Sequence, residues 1–212
     1  MQKSQAEKAL KKRKRAVENM EKEYTQTVDW RTVNLLSNLY NNISNTYSAL
    51  HKQEDSAAAL EKAFLIRMQH PELDLAETHD LLQQMMNLIN LLITEHRFVD
   101  SERVLTSYEN IVIEKIGTGS TEYGICQLTH GIVALGQGKA SEAERFFLDA
   151  EVILRKNTPQ GNGYLMSARQ YLYTLYRKLG KISLADSYKG KIQDMDNFRK
   201  DTQAYSPAKN AQ

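Results

Sequence analysis

GIVALGQGKASEAERFFLDAEVIL, residues 131–154, contains a helix, a turn and a second helix. Gly131 and Ala134 place small residues on the first helical stretch. On the second, Ala143, Phe147 and Ala150 follow at intervals of four and three residues, which stacks them on one face. Small residues allow two helices to approach, and Phe147 fills the space between them. Gly138 separates the two stretches, where a residue without a Cβ takes a positive φ at little cost.

The same register recurs along the chain. The turn position is held by His51, His96, Gly138 and Gly180, so successive units lie 45, 42 and 42 residues apart. Five places after each turn stands a small residue: Ser56, Ser101, Ala143 and Ala185. The large position reads Leu60, Leu105, Phe147 and finally Lys189, so the last unit is expected to pack Tyr188 instead. A degraded last unit is what a terminal cap requires. The fold class that follows is all-α: four antiparallel helix pairs in a right-handed superhelical solenoid, preceded by one further helix.

Small and aromatic residues in this order around a helix-turn-helix resemble the tetratricopeptide repeat (TPR), whose usual period is about 34 residues. The longer period here is similar to the kinesin light chain variety. QHPELDLAETHDLL, residues 69–82, resembles that family's His-Pro-acidic loop leading into a helix, and LYNNISNTY, residues 39–47, resembles its Leu-Asn-Asn-Leu run. The likeness covers roughly residues 30–195. It departs where His replaces Gly in the first two turns and where the other loops lack the His-Pro pair. The resemblance implies a protein-binding scaffold whose first helices line a concave face.

The chain of 212 residues has a formal net charge of +2, but residues 1–22 carry eight Lys or Arg against three Glu, so +5 sits there and −3 on the remainder. The basic patch is Lys11, Lys12, Arg13, Lys14 and Arg15. It reads as a solvated helix face, as a surface for an acidic protein or lipid, or as a nucleic-acid footprint. The absence of accompanying aromatics or a groove-entering motif weighs against the last. Cys126, the one cysteine, excludes an internal disulfide and is compatible with a reducing compartment. With no apolar run of membrane-spanning length and no leader-like start, a cytoplasmic protein is expected.

The expected domains are a basic N-terminal helix, half-repeat or cap over 1–28, a repeat domain over 29–202 and a disordered tail over 203–212. Ala9 and Ala16 are spaced like the small positions of later second helices. Asp29 is a candidate N-cap for a first helix over 30–51, with Trp30 closing one end of the apolar seam. Further helices are expected near 55–69, 72–95, 98–116, 121–137, 140–156, 164–179 and 182–202. Pro71 fits a helix start, and Met85, Leu88, Ile89 and Leu92 form an inner seam.

Residues opposite the packing seam of each first helix are the ligand-facing candidates. They are Asn38, Asn41, Asn45 and Ser48 in the first unit, and Gln83, Asn87, Asn90 and Thr94 in the second. The third offers Ile125, Leu128, Thr129, Ile132 and Leu135; the fourth offers Gln170, Tyr171, Thr174, Arg177 and Lys178. An Asn amide donates and accepts at once, which suits it to hold the backbone of an extended peptide whatever its sequence. Asn is also a poor helix former, so its concentration on these helices needs a reason. The apolar middle and basic end favour a partner with a hydrophobic anchor and an acidic flank. The competing reading is that the third helix is simply more buried.

A TPR subclass grips the C-terminal carboxylate of chaperones with Lys, Asn and Arg. Here only its Asn members have counterparts, Asn45 and Asn87, while Asn41, Ile125 and Thr129 stand where its cations belong, which argues against that mechanism. No His pair among His51, His70, His79, His96 and His130 has the spacing of a helical metal site, and GTGS, residues 117–120, lacks the Gly-Lys-Ser of a phosphate loop. The reading is therefore a non-enzymatic adaptor for a protein or peptide, with no cofactor and no metal. The alternative is a structural or homo-oligomerising scaffold using the convex face or the terminal half-repeat.

Overall fold

A computed structural model describes residues 2–70, 78–158 and 162–204, with side chains over 3–70, 81–158 and 162–200. Among them are nine α-helices and no strand: α1 (Gln2–Gln26), α2 (Trp30–Ala49), α3 (Gln53–Met68), α4 (Thr78–Thr94), α5 (Phe98–Lys115), α6 (Thr121–Gly136), α7 (Ala140–Asn157), α8 (Gly163–Lys178) and α9 (Ile182–Ala204). The fold is an all-α, TPR-like solenoid of helix pairs. It divides into two compact units, Met1–Val104 and Leu105–Gln212, with the division inside α5. Residues 71–77 of the His-Pro segment, with the helix start expected at 72, and residues 205–212 of the tail expected to be disordered lie outside the described residues; 203 and 204 belong to α9.

The turns explain the repeat. His51 and His96 adopt φ of 58°, and Gly138 and Gly180 adopt 77° and 69°. At each, the following residue donates its N–H back across the turn: Lys52 to Tyr47 O, Arg97 to Leu92 O, Lys139 to Ala134 O and Lys181 to Tyr176 O, at 2.8–2.9 Å. All four are Schellman-type C-caps, built twice on histidine at a conformational cost that glycine avoids.

The small position that follows is sealed in every unit, with Ser56, Ser101, Ala143 and Ala185 at most 1% exposed. Ser56 uses its hydroxyl: Ser56 Oγ donates to Ser44 O at 3.0 Å and lies 2.8 Å from Ser44 Oγ. Ser101 Oγ is buried with no hydrogen-bond partner among the described residues.

In the first unit, α1 packs on α2 through Val17 and Met20, against Leu36, Tyr40, Ile43, Ala59 and Ala63. Its buried stripe is thus Val17 and Met20 rather than Ala9 and Ala16, which are only partly covered. Asp29 caps α2 as expected, in a capping box: Thr32 N donates to Asp29 Oδ1 at 2.8 Å, and Asp29 N donates to Thr32 Oγ1 at 3.1 Å. Trp30, expected to close one end of the apolar seam, is 43% exposed at the first residue of α2. The apolar stripe begins one turn later, at Val33. On α4, Met85, Leu88, Ile89 and Leu92 are all fully buried.

In the second unit the core gathers Leu128, Ala134, Ala143, Phe147, Ala150 and Leu154 with Leu165, Ala168, Leu172 and Tyr176. A Cβ on Gly131 would stand 2.4 Å from Phe147 Cε1, so glycine is what lets α6 seat against the Phe147 ring. Tyr188 takes the place of the missing large residue on α9, buried, with its hydroxyl donating to Glu151 Oε2 at 2.9 Å. Lys189 is exposed.

Candidate functional site

Within each compact unit the first helices of successive repeats are neighbours, α2 beside α4 in Met1–Val104 and α6 beside α8 in Leu105–Gln212. In the first unit a polar network joins α2 to α4: Ser37 Oγ donates to Gln84 Oε1 at 2.8 Å, and Gln84 Nε2 donates to Asn38 Oδ1 at 2.8 Å. From α3, the buried Arg67 donates from Nε to Ser37 Oγ at 2.8 Å and from Nη2 to Asn34 Oδ1 at 2.6 Å. Asn38 Nδ2 completes the chain by donating to Asn34 Oδ1 at 2.9 Å. Asn38 therefore serves as a cross-helix tie. The sequence signals the Asn but not this use, which depends on a buried arginine one helix away.

Beside this tie the amide row opens outward. Asn45 and Ser48 on α2, and Gln83, Asn90 and Thr94 on α4, are exposed, and Asn87 is half-buried. Gln83 Nε2 donates to Asn87 Oδ1 at 3.2 Å, and Thr94 Oγ1 donates to Asn90 O at 2.8 Å. Asn41 is partly covered, and its Oδ1 is buried without a partner among the described residues. A desolvated acceptor in that condition costs about 1–3 kcal/mol.

In the second unit, Gln170, Thr174, Arg177 and Lys178 of α8 are exposed. The apolar candidates on α6 divide. Ile125, Ile132 and Leu135 are partly buried against the core, while Leu128 is 4% exposed and belongs to it. Thr129 is likewise buried, its hydroxyl donating to Ile125 O at 2.8 Å. Leu128 and Thr129 thus leave the ligand-facing set, because α6 is packed on more of its circumference than a two-sided helix would be. Tyr171 is half-buried and stacks on Phe147, with centroids 4.9 Å apart and planes 11° from parallel.

The basic run on α1 is partly spent on docking. Arg13 donates to Asn42 O at 3.1 Å and to Thr46 Oγ1, and Lys14 lies over the Tyr47 ring, 5.4 Å from its centroid. Tyr47, by hydrogen bond and charge, raises the Lys14 pKa above its ordinary value. Lys11, Lys12 and Arg15 remain exposed. A cleft of about 690 Å³ beside them is lined by Lys3, Lys11, Lys14, Arg15 and Lys52 around Leu10 and Leu50, with Glu7 and Glu18 as the acidic members.

One cluster went unnoticed in the sequence. Glu109 of α5 meets Cys126 and His130 of α6, with one potential ligand atom from each lying within 4.8 Å of the others. The available signal was the four-residue step from Cys126 to His130; attention to histidine pairs alone passes over it.

No helix among the described residues is long and apolar enough to cross a membrane. No family model matches the sequence, and no curated protein does. Solved structures do. BtubC (BKLC) from P. vanneervenii aligns over all of this chain and 94% of its own, at 14% identity and a TM-score of 0.66. A Podosopora anserina protein assigned as a kinesin light chain, with nearly identical TPR-like repeats, aligns over 94% of both chains at 14% identity and a TM-score of 0.64. The apo form of RapI aligns over 87% of this chain and 49% of its own, again at 14% identity, with a TM-score of 0.66. At such identities the likeness speaks for the fold. By fold, the chain is a tetratricopeptide-type repeat protein.

Proposed function

We propose that the chain is a protein-interaction scaffold that holds an extended segment of a partner protein against its first helices, using the amide row of α2 and α4. The observation that carries this reading is the buried tie of Ser37, Gln84, Asn38 and Arg67. It fixes α2 against α4 before any ligand arrives, so the amides beside it need little reorganisation on binding. The orphaned acceptor of Asn41 adds support, since a ligand donor reaching it would recover a desolvation cost already incurred.

Each hydrogen bond to a peptide backbone contributes a net of about 0.5–1.5 kcal/mol. Five or six such bonds, with some apolar contact, approach the roughly −8 kcal/mol of micromolar affinity. The amide row is indifferent to side-chain identity, so it supplies affinity more than selectivity. In the second unit, the exposed Arg177 and Lys178 would suit an acidic stretch, and the partly exposed Ile125 and Ile132 an apolar anchor.

The test is the affinity of a partner recovered from native lysate. Asn45→Ala combined with Asn87→Ala should weaken it by about 1–3 kcal/mol, tenfold or more, with the circular dichroism spectrum unchanged because neither side chain lies in a core. Arg177→Glu should lower affinity for an acidic partner and flatten its dependence on salt. Wild-type affinity in the double variant refutes the amide row as the site. The cleft beside Lys11 and Arg15 then becomes the surface to test, by Lys11→Glu with Arg15→Glu.

A further inference from the structure

We propose that Glu109, Cys126 and His130 form a binding site for a zinc-class divalent ion, with a fourth position open to water or to a ligand from outside the chain. Cys126 and His130 stand one helical turn apart on α6 and therefore share a face, and α5 brings Glu109 to it. His130 Nε2 and Glu109 Oε2 are 3.2 Å apart, and Cys126 Sγ lies within 4.8 Å of a ring nitrogen of His130 and of a carboxylate oxygen of Glu109. Around a tetrahedral zinc with ligands at about 2.0–2.3 Å, donor atoms sit about 3.5 Å from one another. Two of the three donors are already at that spacing, and the third is within reach of a small side-chain adjustment.

The donor set decides the metal. Sulfur with imidazole nitrogen selects zinc and its neighbours over magnesium or calcium, which take oxygen ligands. Three protein donors and one vacant direction is the arrangement of zinc sites that bind something further.

The surroundings hold the donors in place. Gln127 Nε2 donates to Glu109 Oε1 at 3.0 Å, which orients the carboxylate and leaves Oε2 toward His130. The His130 ring stacks on Phe146, with centroids 5.0 Å apart and planes 18° from parallel, and the Arg145 guanidinium lies over that Phe146 ring at 4.8 Å. Cys126 is fully buried, whereas the Glu109 side chain keeps 24% of its surface exposed, so the carboxylate side is the way in for an ion.

Burial pushes the Cys126 thiol pKa well up, and the charge of Glu109 adds to the effect. Without an ion the sulfur therefore keeps its proton and is a poor nucleophile. Coordination would expel that proton to solvent and turn two negative ligands from a liability into partners of the cation. The ion would also cross-link α5 to α6.

The experiment uses the untagged full chain, treated with chelator and titrated with Co²⁺. Because Cys126 is the one cysteine, any thiolate-to-cobalt charge-transfer band reports this residue and requires no variant. The expected result is that band together with tetrahedral cobalt absorption, saturating at one ion per chain, displaced by Zn²⁺ and unaffected by Mg²⁺. Cys126→Ser should lose the band, and His130→Gln or Glu109→Gln should weaken Zn²⁺ binding at least tenfold while helicity is retained. A folded wild-type chain that develops no charge-transfer band overturns the proposal. So does Zn²⁺ affinity that is the same in folded His130→Gln and Glu109→Gln as in wild type, which would place any bound ion elsewhere.

Discussion

Gly131→Ala adds a single methyl group where α6 meets Phe147, and the geometry sets its cost. The new Cβ would lie 2.4 and 2.5 Å from Phe147 Cε1 and Cδ1 and 3.0 Å from Cζ. Carbon atoms rest about 3.5–4.0 Å apart. The ring must therefore recede by about 1 Å, or α6 must lift by as much. Neither is cheap: Phe147 has no exposed surface and Tyr171 stacks on it, 4.9 Å between centroids. Overpacking of this kind costs about 1–3 kcal/mol. Replacing glycine by alanine inside a helix returns up to about 1 kcal/mol of propensity.

A clash this short belongs in the upper half of the overpacking range, which leaves a net loss of about 1–2 kcal/mol. Urea unfolding followed by circular dichroism should show it as a lowered midpoint, and the melting temperature should fall by about 2–4 °C per kcal/mol for a chain of this size. Phe147→Leu supplies the control. In the Gly131→Ala background it should cost at least about 1 kcal/mol less than in wild type, because it also relieves the clash. A neutral or stabilising Gly131→Ala, or strictly additive costs, would refute the close approach between α6 and Phe147.

Three further outcomes are expected. His51→Gly and His96→Gly should each stabilise by about 0.5–1 kcal/mol in urea unfolding, since glycine relieves the left-handed backbone. The gain should be smaller at His96, whose ring makes an edge contact with Phe98 at 5.8 Å. Ser101→Ala should stabilise by up to about 1 kcal/mol by removing an unpartnered buried hydroxyl, whereas Ser56→Ala should cost about 1 kcal/mol or more by stranding Ser44; equal effects at the two sites would contradict the packing described.

Glu151 should set part of the acid limb of stability. Burial alone would raise its pKa, but the Tyr188 hydroxyl, Lys191 and Arg169 more than offset this and hold it below the ordinary 4.5. A lowered folded-state pKa contributes stability that is complete above 4.5 and is lost as pH falls through the lowered value. Stability measured against pH should therefore drop less steeply below 4.5 in Glu151→Gln than in wild type, and parallel curves would show that the carboxylate contributes nothing.

The helix pairs were legible because their signals are local. A turn residue, a small residue five places on and a large one four places later survive being read along one dimension, even where histidine replaces glycine and serine replaces alanine. The exchange of Lys189 for Tyr188 was legible for the same reason. What escaped was tertiary. Nothing near Arg67 in sequence announces that its guanidinium passes beneath α2 to Ser37 and Asn34, and so nothing distinguishes the structural Asn38 from the exposed Asn45 and Asn90. For Leu128 the sequence offered both a ligand-facing and a more buried helix and could not choose between them, and α6 is in fact buried on more than one side. Trp30, read as closing one end of the seam, stays 43% exposed because a helix's first residue is covered only if something lies beyond it. Glu109 comes from a helix other than that of Cys126 and His130, so their meeting is a property of the fold.

The most direct measurement of the proposed partner surface is site-specific photo-cross-linking in the first unit. A photoreactive residue is placed singly at Asn45 or Asn90 on the first helices, and at Lys62 or Leu65 on α3, all four being exposed. With the partner recovered from lysate and equal labelling at each site, covalent adducts should form from Asn45 and Asn90 and be absent from Lys62 and Leu65. Adducts confined to Lys62 and Leu65 would place the partner on the second-helix face and contradict the account.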